Sequence, residues 1–305
     1  MPKVFVVQNP VAGIHNAKRV SNIIQHYIEE KGWEYKFHLT REDEDVALVV
    51  ADAVMEGYDL FLAAGGDGTV SMVATGLKGT NLPMAIIPVG TGNGMARDLK
   101  IPLTLHESVG VLADLESVRM LDAMEVGDQY YLLNLSVGLT PLALKESKRE
   151  EKRKLGMLAY FMAGIKAFVG IQPVSYTLEI DGKNHSFRAS EVMLMNSFVL
   201  GDTGRILGLD IVVDDGILDL FVIEARTVLD YLRVLWFVLI GKPQHDPDLT
   251  RFQVRESLSI SARRLLEIQA DGELIGYTPL RVKMVPQAVK MVVPKEQPTL
   301  IDRLR

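Results

Sequence analysis

Two glycine-rich turns, each directly after an apolar run, constrain the fold of this chain most. The first turn, Gly-Gly-Asp-Gly-Thr at residues 65–69, follows the run 60–64, and the second, at 90–94, follows the run 84–88. Glycine allows a ligand to approach the backbone closely, and N–H groups that open onto a helix N-terminus bind anions. The two turns therefore predict one phosphate-binding crevice at the carboxyl edge of a parallel sheet.

An acidic residue inside the first turn indicates which kind of phosphate ligand is expected. Asp67 would repel a bare phosphate, and a bridging Mg²⁺ removes that conflict. Taken alone, the turn could also be a tight strand-to-helix connection with Asp67 or Thr69 as a helix cap. The second glycine turn, and a third loop at residues 9–13 after the first apolar run, favour a metal–nucleotide site.

Composition excludes several classes of function. The 305 residues suit two domains, and the formal net charge of −6 leaves no basic footprint for nucleic acid. The chain has no cysteine, so disulfides and thiolate metal sites are excluded. We recognise no signal peptide, and the most apolar segment, 231–240, is about half of the ~20 residues that a membrane-spanning helix needs. We therefore expect a cytoplasmic protein without a transmembrane segment.

The first part of the chain alternates strand and helix patterns, which predicts a Rossmann-like α/β domain over residues 1–122. The predicted strands are residues 4–7, 35–39, 60–64 and 84–88. The predicted helices are residues 17–31, 45–56, 69–77 and a fourth from 91 or 92 to 99. In the first of them the apolar positions recur with a helical period.

Strand patterns dominate residues 123–294, which predicts an antiparallel β-sandwich domain. The predicted strands are residues 130–136, 175–180, 187–195, 218–224, 257–262, 265–270, 280–285 and 290–293. Asp-Gly pairs at 181–182, 215–216 and 271–272 are typical of hairpin turns. Two helical insertions are expected, at 142–170 and 228–241, and the segment 295–305 is expected to dock back on the first domain.

The motifs, taken in order, resemble those of the diacylglycerol kinase catalytic-domain family, which includes sphingosine, ceramide and bacterial lipid kinases. The resemblance covers essentially the whole chain, and the set of motifs is specific. The motifs are Asn9-Pro10-x-Ala12-Gly13, Gly65-Gly66-Asp67-Gly68-Thr69, Gly90-Thr91-Gly92-Asn93 with Ala96-Arg97, Asp122 before Asn134 and Gly138, Asp214-Asp215-Gly216-x-Leu218-Asp219, and Asp271-Gly272-Glu273.

The resemblance implies an ATP- and Mg²⁺-dependent lipid kinase whose active site lies between the two domains. The residues that it places around the nucleotide are Asn9, Pro10, Ala12, Gly13, Thr40, Gly65, Gly66, Asp67, Gly68, Thr69, Gly90, Thr91 and Asn93. Asp67 would act through Mg²⁺, with Asp122 near the metal shell. A second Mg²⁺ site is implied at Asp214 and Asp215 with the carbonyls near Ile217 and Leu218.

The resemblance also implies a general base, and it leaves more than one candidate for that role. Asp271 matches the base of the bacterial diacylglycerol kinases, with Glu273 close by, whereas sphingosine kinases favour Asp67. Several relatives carry an Asp directly after the Asn of the second turn, and this chain has Gly94 there. Asp98, one helical turn further on, is a possible substitute.

The sequence is compatible with two other functions. NAD kinase shares Gly-Gly-Asp-Gly-Thr and a two-domain plan, and Gly94 is compatible with a non-catalytic lipid- or nucleotide-binding regulator. For the lipid kinase we expect a lipid substrate at the inner face of a membrane, and a homodimer is possible. A helix over 145–154 would place Lys145, Lys148, Arg149 and Lys152 on one face, which suits anionic head groups if the insertions form the lipid entrance.

Overall fold

The computed structural model describes residues 1–13, 16–141, 173–197 and 209–295. Its first part alternates strands and helices, as predicted. The elements are β1 (Lys3–Gln8), α1 (Ala17–Glu30), β2 (Glu34–Leu39), α2 (Val46–Met55), β3 (Leu60–Gly65), α3 (Asp67–Gly76), β4 (Pro83–Pro88), α4 (Gly94–Asp98) and α5 (Leu105–Gly110). The four strands are parallel in the order β2-β1-β3-β4, which confirms the Rossmann-like arrangement.

The first strand shows why helices cover both faces of this parallel sheet. Val4 and Val6 pack in one core with Ile24 of α1, whereas Phe5 and Val7 pack in another core with side chains of α2 and α3. Successive side chains of a strand point to opposite faces of the sheet. A strand that is apolar throughout is therefore buried only when helices pack on both faces. The loops after β1, β3 and β4 consequently follow the carboxyl ends of parallel neighbours and lie at one edge.

The second part is an antiparallel β-sandwich, as predicted. Its elements are β5 (Val118–Val126), β6 (Gln129–Tyr131), β7 (Asn134–Gly138), β8 (Val174–Ile180), β9 (Lys183–Ala189), β10 (Glu191–Met195), β11 (Leu218–Ile223), α6 (Val228–Leu239), β12 (Leu249–Val254), β13 (Ser257–Ala262), β14 (Glu267–Ala270), β15 (Glu273–Tyr277) and β16 (Leu280–Val292). One sheet has the order β12-β11-β10-β7-β14-β15. Buried side chains from both sheets, including Leu135, Leu178 and Leu220, form a common core.

Strand β16 joins the two parts into one ten-stranded sheet. Its first half pairs with β13 of the sandwich, and Lys290 and Met291 pair in parallel with β4. Strand β5 runs antiparallel along both halves of β16, with a register shift between Val285 and Val289. Strand β16 therefore belongs to the sandwich and also extends the parallel sheet of the first part.

Several predicted strand boundaries are wrong. Residues 130–136 form two strands, as do residues 187–195. The predicted strands 280–285 and 290–293 are one strand, β16, which ends at Val292. An apolar run does not show where a strand changes its hydrogen-bonded partner strand. A β-bulge also has no clear sequence pattern. Asp181-Gly182 and Asp271-Gly272 are hairpin turns, but Asp215-Gly216 lies in the connection before β11, whose partners are β10 and β12.

Some expectations fall outside the described residues. These are the insertion at 142–170 with its basic face, and the docking of 295–305 apart from its first residue. The other insertion is observed as α6. Among the described residues, no helix is both long and apolar enough to cross a bilayer.

Candidate active site

The three loops at the edge of the parallel sheet pack so closely that some of their glycine positions have no room for a side chain. A Cβ on Gly90 would lie 2.5 Å from the Cα of Gly66, so the two glycine turns are in direct backbone contact. Gly13 has a φ of +61°, and a Cβ there would lie 1.9 Å from the carbonyl oxygen of Val89. Glycine is required at these positions because no other residue leaves room for the neighbouring backbone.

Helix α3 begins inside the first turn, and the amides of its first turn have no side-chain cap. Gly66 is the N-cap and makes no side-chain hydrogen bond. Thr69 is buried and lies over Gly65, where a Cβ would be 2.2 Å from the Thr69 Oγ1. The first N–H groups of a helix lack partners within it and carry a partial positive charge. This geometry suits an anion at residues 65–69.

Asp67 links the two glycine turns through the start of α4. Its Oδ2 accepts the N–H of Gly94 at 3.0 Å and its Oδ1 accepts the N–H of Met95 at 3.1 Å. Each oxygen keeps one further acceptor position. Asn93 precedes α4 in the left-handed conformation, donates from Nδ2 to the Gly90 carbonyl at 2.9 Å, and has a buried Oδ1 without a described partner.

The other predicted nucleotide residues lie at the ends of β1 and β2 or in the turns. Asn9 holds its loop by accepting the Val11 N–H on Oδ1 at 3.1 Å, and its own N–H donates to Ala64 of β3 at 3.0 Å. The N–H of Thr40 donates to the Gln8 carbonyl at 2.9 Å, which brings the end of β2 beside the Asn9 loop. Thr91 is exposed in the second turn.

Asp271 lies in the two-residue turn between β14 and β15, and its carboxylate is saturated with hydrogen bonds. Oδ2 accepts from the Ser71 hydroxyl at 2.6 Å and the Leu132 N–H at 2.8 Å. Oδ1 accepts the N–H groups of Leu133 at 2.9 Å and Asn134 at 3.1 Å. Burial raises the pKa of Asp271, and these four bonds oppose that rise. The carboxylate thus connects α3 of the first part to the sandwich.

Glu273, two residues further on, projects toward the first glycine turn. A Cβ on Gly68 would lie 2.7 Å from the Glu273 Oε1, so the carboxylate is directly beside the first turn of α3. No described residue donates a hydrogen bond to this carboxylate. Of the acidic residues that the resemblance implies as bases, Asp67 keeps one open acceptor position on each oxygen, and Glu273 is the one on which no described residue fills any position.

The acidic residues near β11 form a separate group around the connection that precedes it. Asp122 is fully buried and accepts the Gly216 N–H at 2.7 Å and the Gln287 N–H at 2.8 Å. Asp214 forms a bidentate salt bridge with Arg119 at 2.6 and 2.7 Å. Asp215 accepts the N–H of Ile217 at 3.0 Å.

The pKa values in this group follow from burial and charge. Burial raises the pKa of Asp122, and the Asp214 charge adds to this, whereas its two backbone hydrogen bonds oppose it. Burial, with the charges of Asp122 and Asp214, also raises the pKa of Asp215. The Arg119 hydrogen bond lowers the pKa of Asp214. Within the described ranges, no three or more His, Asp or Glu side chains are grouped as metal ligands.

Sequence reasoning missed several residues that hold the site together. Ser71 and the amides of 132–134 fix Asp271, and the Ser197 hydroxyl donates to Asp98 at 2.5 Å across the two parts. Asn196 is fully buried and donates to the carbonyls of Asp122 and Leu132, at 2.9 Å each. In the sequence, the only indication of Asn196 and Ser197 is that these two polar residues directly follow an apolar strand.

Fold and site together define a two-part protein, in which glycine turns of an α/β sheet face a carboxylate of a β-sandwich. The sequence profile described as the diacylglycerol kinase catalytic domain matches residues 3–126, and that of the YegS C-terminal NAD kinase β-sandwich-like domain matches residues 135–293. The chain belongs to the diacylglycerol kinase catalytic-domain family.

Individual relatives agree with this membership. A Bacillus subtilis protein named diacylglycerol kinase is 28% identical over 99% of this chain and 100% of its own length. A protein of the same name from Staphylococcus haemolyticus is 26% identical over 95% of this chain and 88% of its own length. The crystal structure of a Bacillus anthracis diacylglycerol kinase aligns with a TM-score of 0.78 at 24% identity, over 96% of this chain and 97% of that one, and shows the same fold.

Proposed function

We propose that the protein is an ATP- and Mg²⁺-dependent lipid kinase that transfers the γ-phosphate of ATP to a lipid hydroxyl. The observation that carries the proposal is the position of Glu273, an acidic side chain of the sandwich that lies beside Gly68 in the first turn of α3. A phosphate bound by the amides of 65–69 would therefore have a carboxylate of the sandwich beside it. Phosphoryl transfer needs this arrangement, since it depends mainly on positioning and on charge neutralisation.

Each part of the site has a role in this proposal. The amides at Gly66, Gly68 and Thr69 would bind the phosphates, and Asn9 and Thr40 would lie toward the nucleoside. Mg²⁺ would be held by Asp67, whose two oxygens each retain an acceptor position, and would neutralise charge on the phosphate oxygens.

Glu273 is the proton acceptor in this proposal, and Asp271 is a positioning residue. A general base must be able to accept the proton of the attacking hydroxyl. All four acceptor positions of Asp271 are filled by donors of the protein, whereas none of those of Glu273 is filled by a described residue. As the lipid oxygen bonds to the γ-phosphorus, its proton passes to Glu273 and the bond to the β–γ bridging oxygen breaks, which gives lipid phosphate and ADP.

Comparison with a second turn of the same type supports this division of roles. Asp181 also occupies a two-residue Asp-Gly hairpin, and its carboxylate accepts the three consecutive N–H groups of Arg255, Glu256 and Ser257 at 3.0, 2.9 and 3.0 Å. The same contact pattern at a turn outside the candidate site indicates that it serves the fold. Asp271 differs by its additional bond to Ser71 of α3.

The second Mg²⁺ site that the resemblance implies is surrounded by acidic residues that mostly have partners already. Asp214 is neutralised by Arg119, and Asp122 is occupied by two backbone N–H groups. Asp215 retains free acceptor positions, and burial together with the charges of Asp122 and Asp214 raises its pKa, so a cation beside it would be favoured. We propose Asp215 and nearby carbonyls as the residues that would hold such an ion.

A mixed-micelle assay with ATP and Mg²⁺ tests the proposal. The acceptors are diacylglycerol, sphingosine, ceramide, undecaprenol and phosphatidylglycerol, with NAD as the acceptor of the competing function. We expect turnover with a lipid and a loss of at least about a hundredfold in kcat for Glu273→Gln, in the range of general-base contributions. Glu179→Gln, an exposed change on β8, is the matched control.

Three outcomes would contradict the proposal. Turnover on NAD alone would indicate an NAD kinase, and nucleotide binding without turnover on any acceptor would indicate a regulator. Full activity of Glu273→Gln together with an inactive but stable Asp271→Asn would return the role of base to Asp271.

A further inference from the structure

A groove of about 500 Å³ at one end of the sandwich is lined by three arginines. Arg188, Arg263 and Arg264 surround it, together with backbone and side chains at residues 173–175. Arg188 is the cross-strand neighbour of Ser175, whose carbonyl accepts the Arg263 N–H at 3.1 Å. The arginines therefore come from the end of β9 and the loop after β13, on either side of the start of β8.

The groove carries positive charge that the described residues do not neutralise. No carboxylate of the described chain forms a salt bridge with any of the three arginines. The Arg188 Nε donates only weakly, to the Pro173 carbonyl at 3.5 Å. All three side chains are exposed, in a chain with a formal net charge of −6. Three guanidinium groups held together in this way suit phosphate oxygens, which they bind with a planar pair of donors.

Exposed apolar side chains lie beside this positive charge. Leu265 directly follows Arg264 and is 74% exposed, and Tyr277, on the neighbouring strand β15, is 59% exposed. Leucine and tyrosine next to arginine are typical of surfaces that rest in the head-group region of a bilayer.

Helix α6 extends this surface, because it starts at the same end of the sandwich. The Tyr231 hydroxyl donates to Ser190 at 2.6 Å, and Ser190 is two residues beyond Arg188. The outer side of α6 exposes Leu229, Leu232 and Trp236 by 75%, 51% and 62%. Tryptophan at the border of an apolar face is favoured at membrane interfaces.

We infer that the arginine groove, Leu265 and the outer side of α6 form a docking surface for membranes that contain anionic phospholipids. Charge complementarity supplies the attraction, and the adjacent apolar side chains distinguish a lipid surface from free phosphate as the ligand. The inference does not require kinase activity, but it would bring a lipid kinase to its substrate.

Vesicle sedimentation tests the inference with the full chain. Phosphatidylcholine vesicles are compared with vesicles that also contain phosphatidylglycerol, for wild type and for a triple variant with Arg188→Gln, Arg263→Gln and Arg264→Gln. The matched control carries Lys183→Gln, Arg255→Gln and Arg281→Gln, which removes the same charge from exposed positions outside the groove. We expect the groove variant to lose at least about tenfold in affinity for the anionic vesicles, while the control loses much less.

Two outcomes would overturn the inference. Equal losses of vesicle affinity in the groove variant and the control would show that only overall charge matters. If inorganic phosphate displaces the protein from the vesicles at constant total ionic strength, the groove is a site for free phosphate. Thermal unfolding verifies that both variants fold. Turnover of a water-soluble short-chain diacylglycerol should be unchanged in the groove variant, so failure of the kinase proposal and failure of docking are separately visible.

Discussion

At the scale of single residues, Asp271 is held by more hydrogen bonds than any other carboxylate of the candidate site. Its two oxygens accept from Ser71, Leu132, Leu133 and Asn134. An amide nitrogen in place of one oxygen cannot accept, so a buried donor would lose its partner. The residue is therefore expected to matter for stability as well as for the arrangement of the site.

Substitution of Asp271 should lower stability, whereas substitution of Glu273 should not. We expect Asp271→Asn to reduce the free energy of unfolding by about 1–3 kcal/mol, and Ser71→Ala by about 1 kcal/mol, since each removes acceptors or donors from buried bonds. Urea unfolding measures both, with Glu273→Gln as the comparison at the same hairpin. An Asp271→Asn protein as stable as wild type would contradict the positioning role.

Glu191 is a buried carboxylate outside the candidate site. Its Oε2 accepts the N–H groups of Leu139 and Thr140, and its Oε1 has no described partner. Burial raises the pKa of Glu191 to about 7, and the hydrogen bonds from Thr140 and Leu139 oppose that rise. Such a group makes stability depend on pH.

The contribution of Glu191 to stability should fall as pH rises from the ordinary glutamate pKa of 4.5 to about 7. In this window the folded chain keeps a proton that the unfolded chain has released, so the free energy of unfolding decreases with pH. The shift corresponds to about 3 kcal/mol. Urea unfolding across this range should show a smaller decrease for Glu191→Gln than for wild type or Glu179→Gln. Identical pH profiles for all three proteins would show that Glu191 does not carry the effect.

At the scale of elements, contact between the two glycine turns sets the shape of the crevice that is proposed to bind phosphate. Gly66 and Gly90 touch through their backbones, and Asp67 fixes the start of α4. The turns therefore form one rigid unit, although they belong to different β-α connections. A side chain inserted between them has no flexible neighbour to displace.

Gly90→Ala should weaken both nucleotide binding and stability. Its Cβ would lie 2.5 Å from the Gly66 Cα, so the turns must separate, which is expected to reduce stability by several kcal/mol, about as much as overpacking a core. Gly110→Ala is the matched control, because nothing lies within 4 Å of its Cβ and its φ is −61°. Thermal unfolding and ATP titration by calorimetry measure the two effects. Wild-type values for Gly90→Ala would show that the turns can separate freely.

At the scale of the whole molecule, β16 and the contacts across the cleft couple the two parts. Strand β16 pairs with β4 and with β13, and the Ser71–Asp271 and Asp98–Ser197 hydrogen bonds connect the parts again beside the site. If one part unfolded, strands of the other part would lose their hydrogen-bonded neighbours. The domain limits of 1–122 and 123–294 remain a prediction, since one strand, β16, pairs with strands of both parts.

Scanning calorimetry should therefore show a single cooperative transition, with equal calorimetric and van't Hoff enthalpies. Because β16 is shared, neither part is expected to retain its sheet after the other unfolds. Two resolved transitions, or early loss of the ligand-free α/β part alone, would contradict this coupling.

The sequence by itself determined the features that depend on local chemistry. Glycine turns after apolar runs identified the loops at one sheet edge, Asp-Gly pairs identified two hairpins, and the succession of strand-like runs indicated the sandwich. Only the tertiary structure decided that Asp271 is saturated with hydrogen bonds while Glu273 faces Gly68, and that β16 pairs with strands of both parts. The reason is physical: Ser71 and Asp271 are 200 residues apart in the chain, and which buried carboxylate finds which donors depends on how distant elements pack.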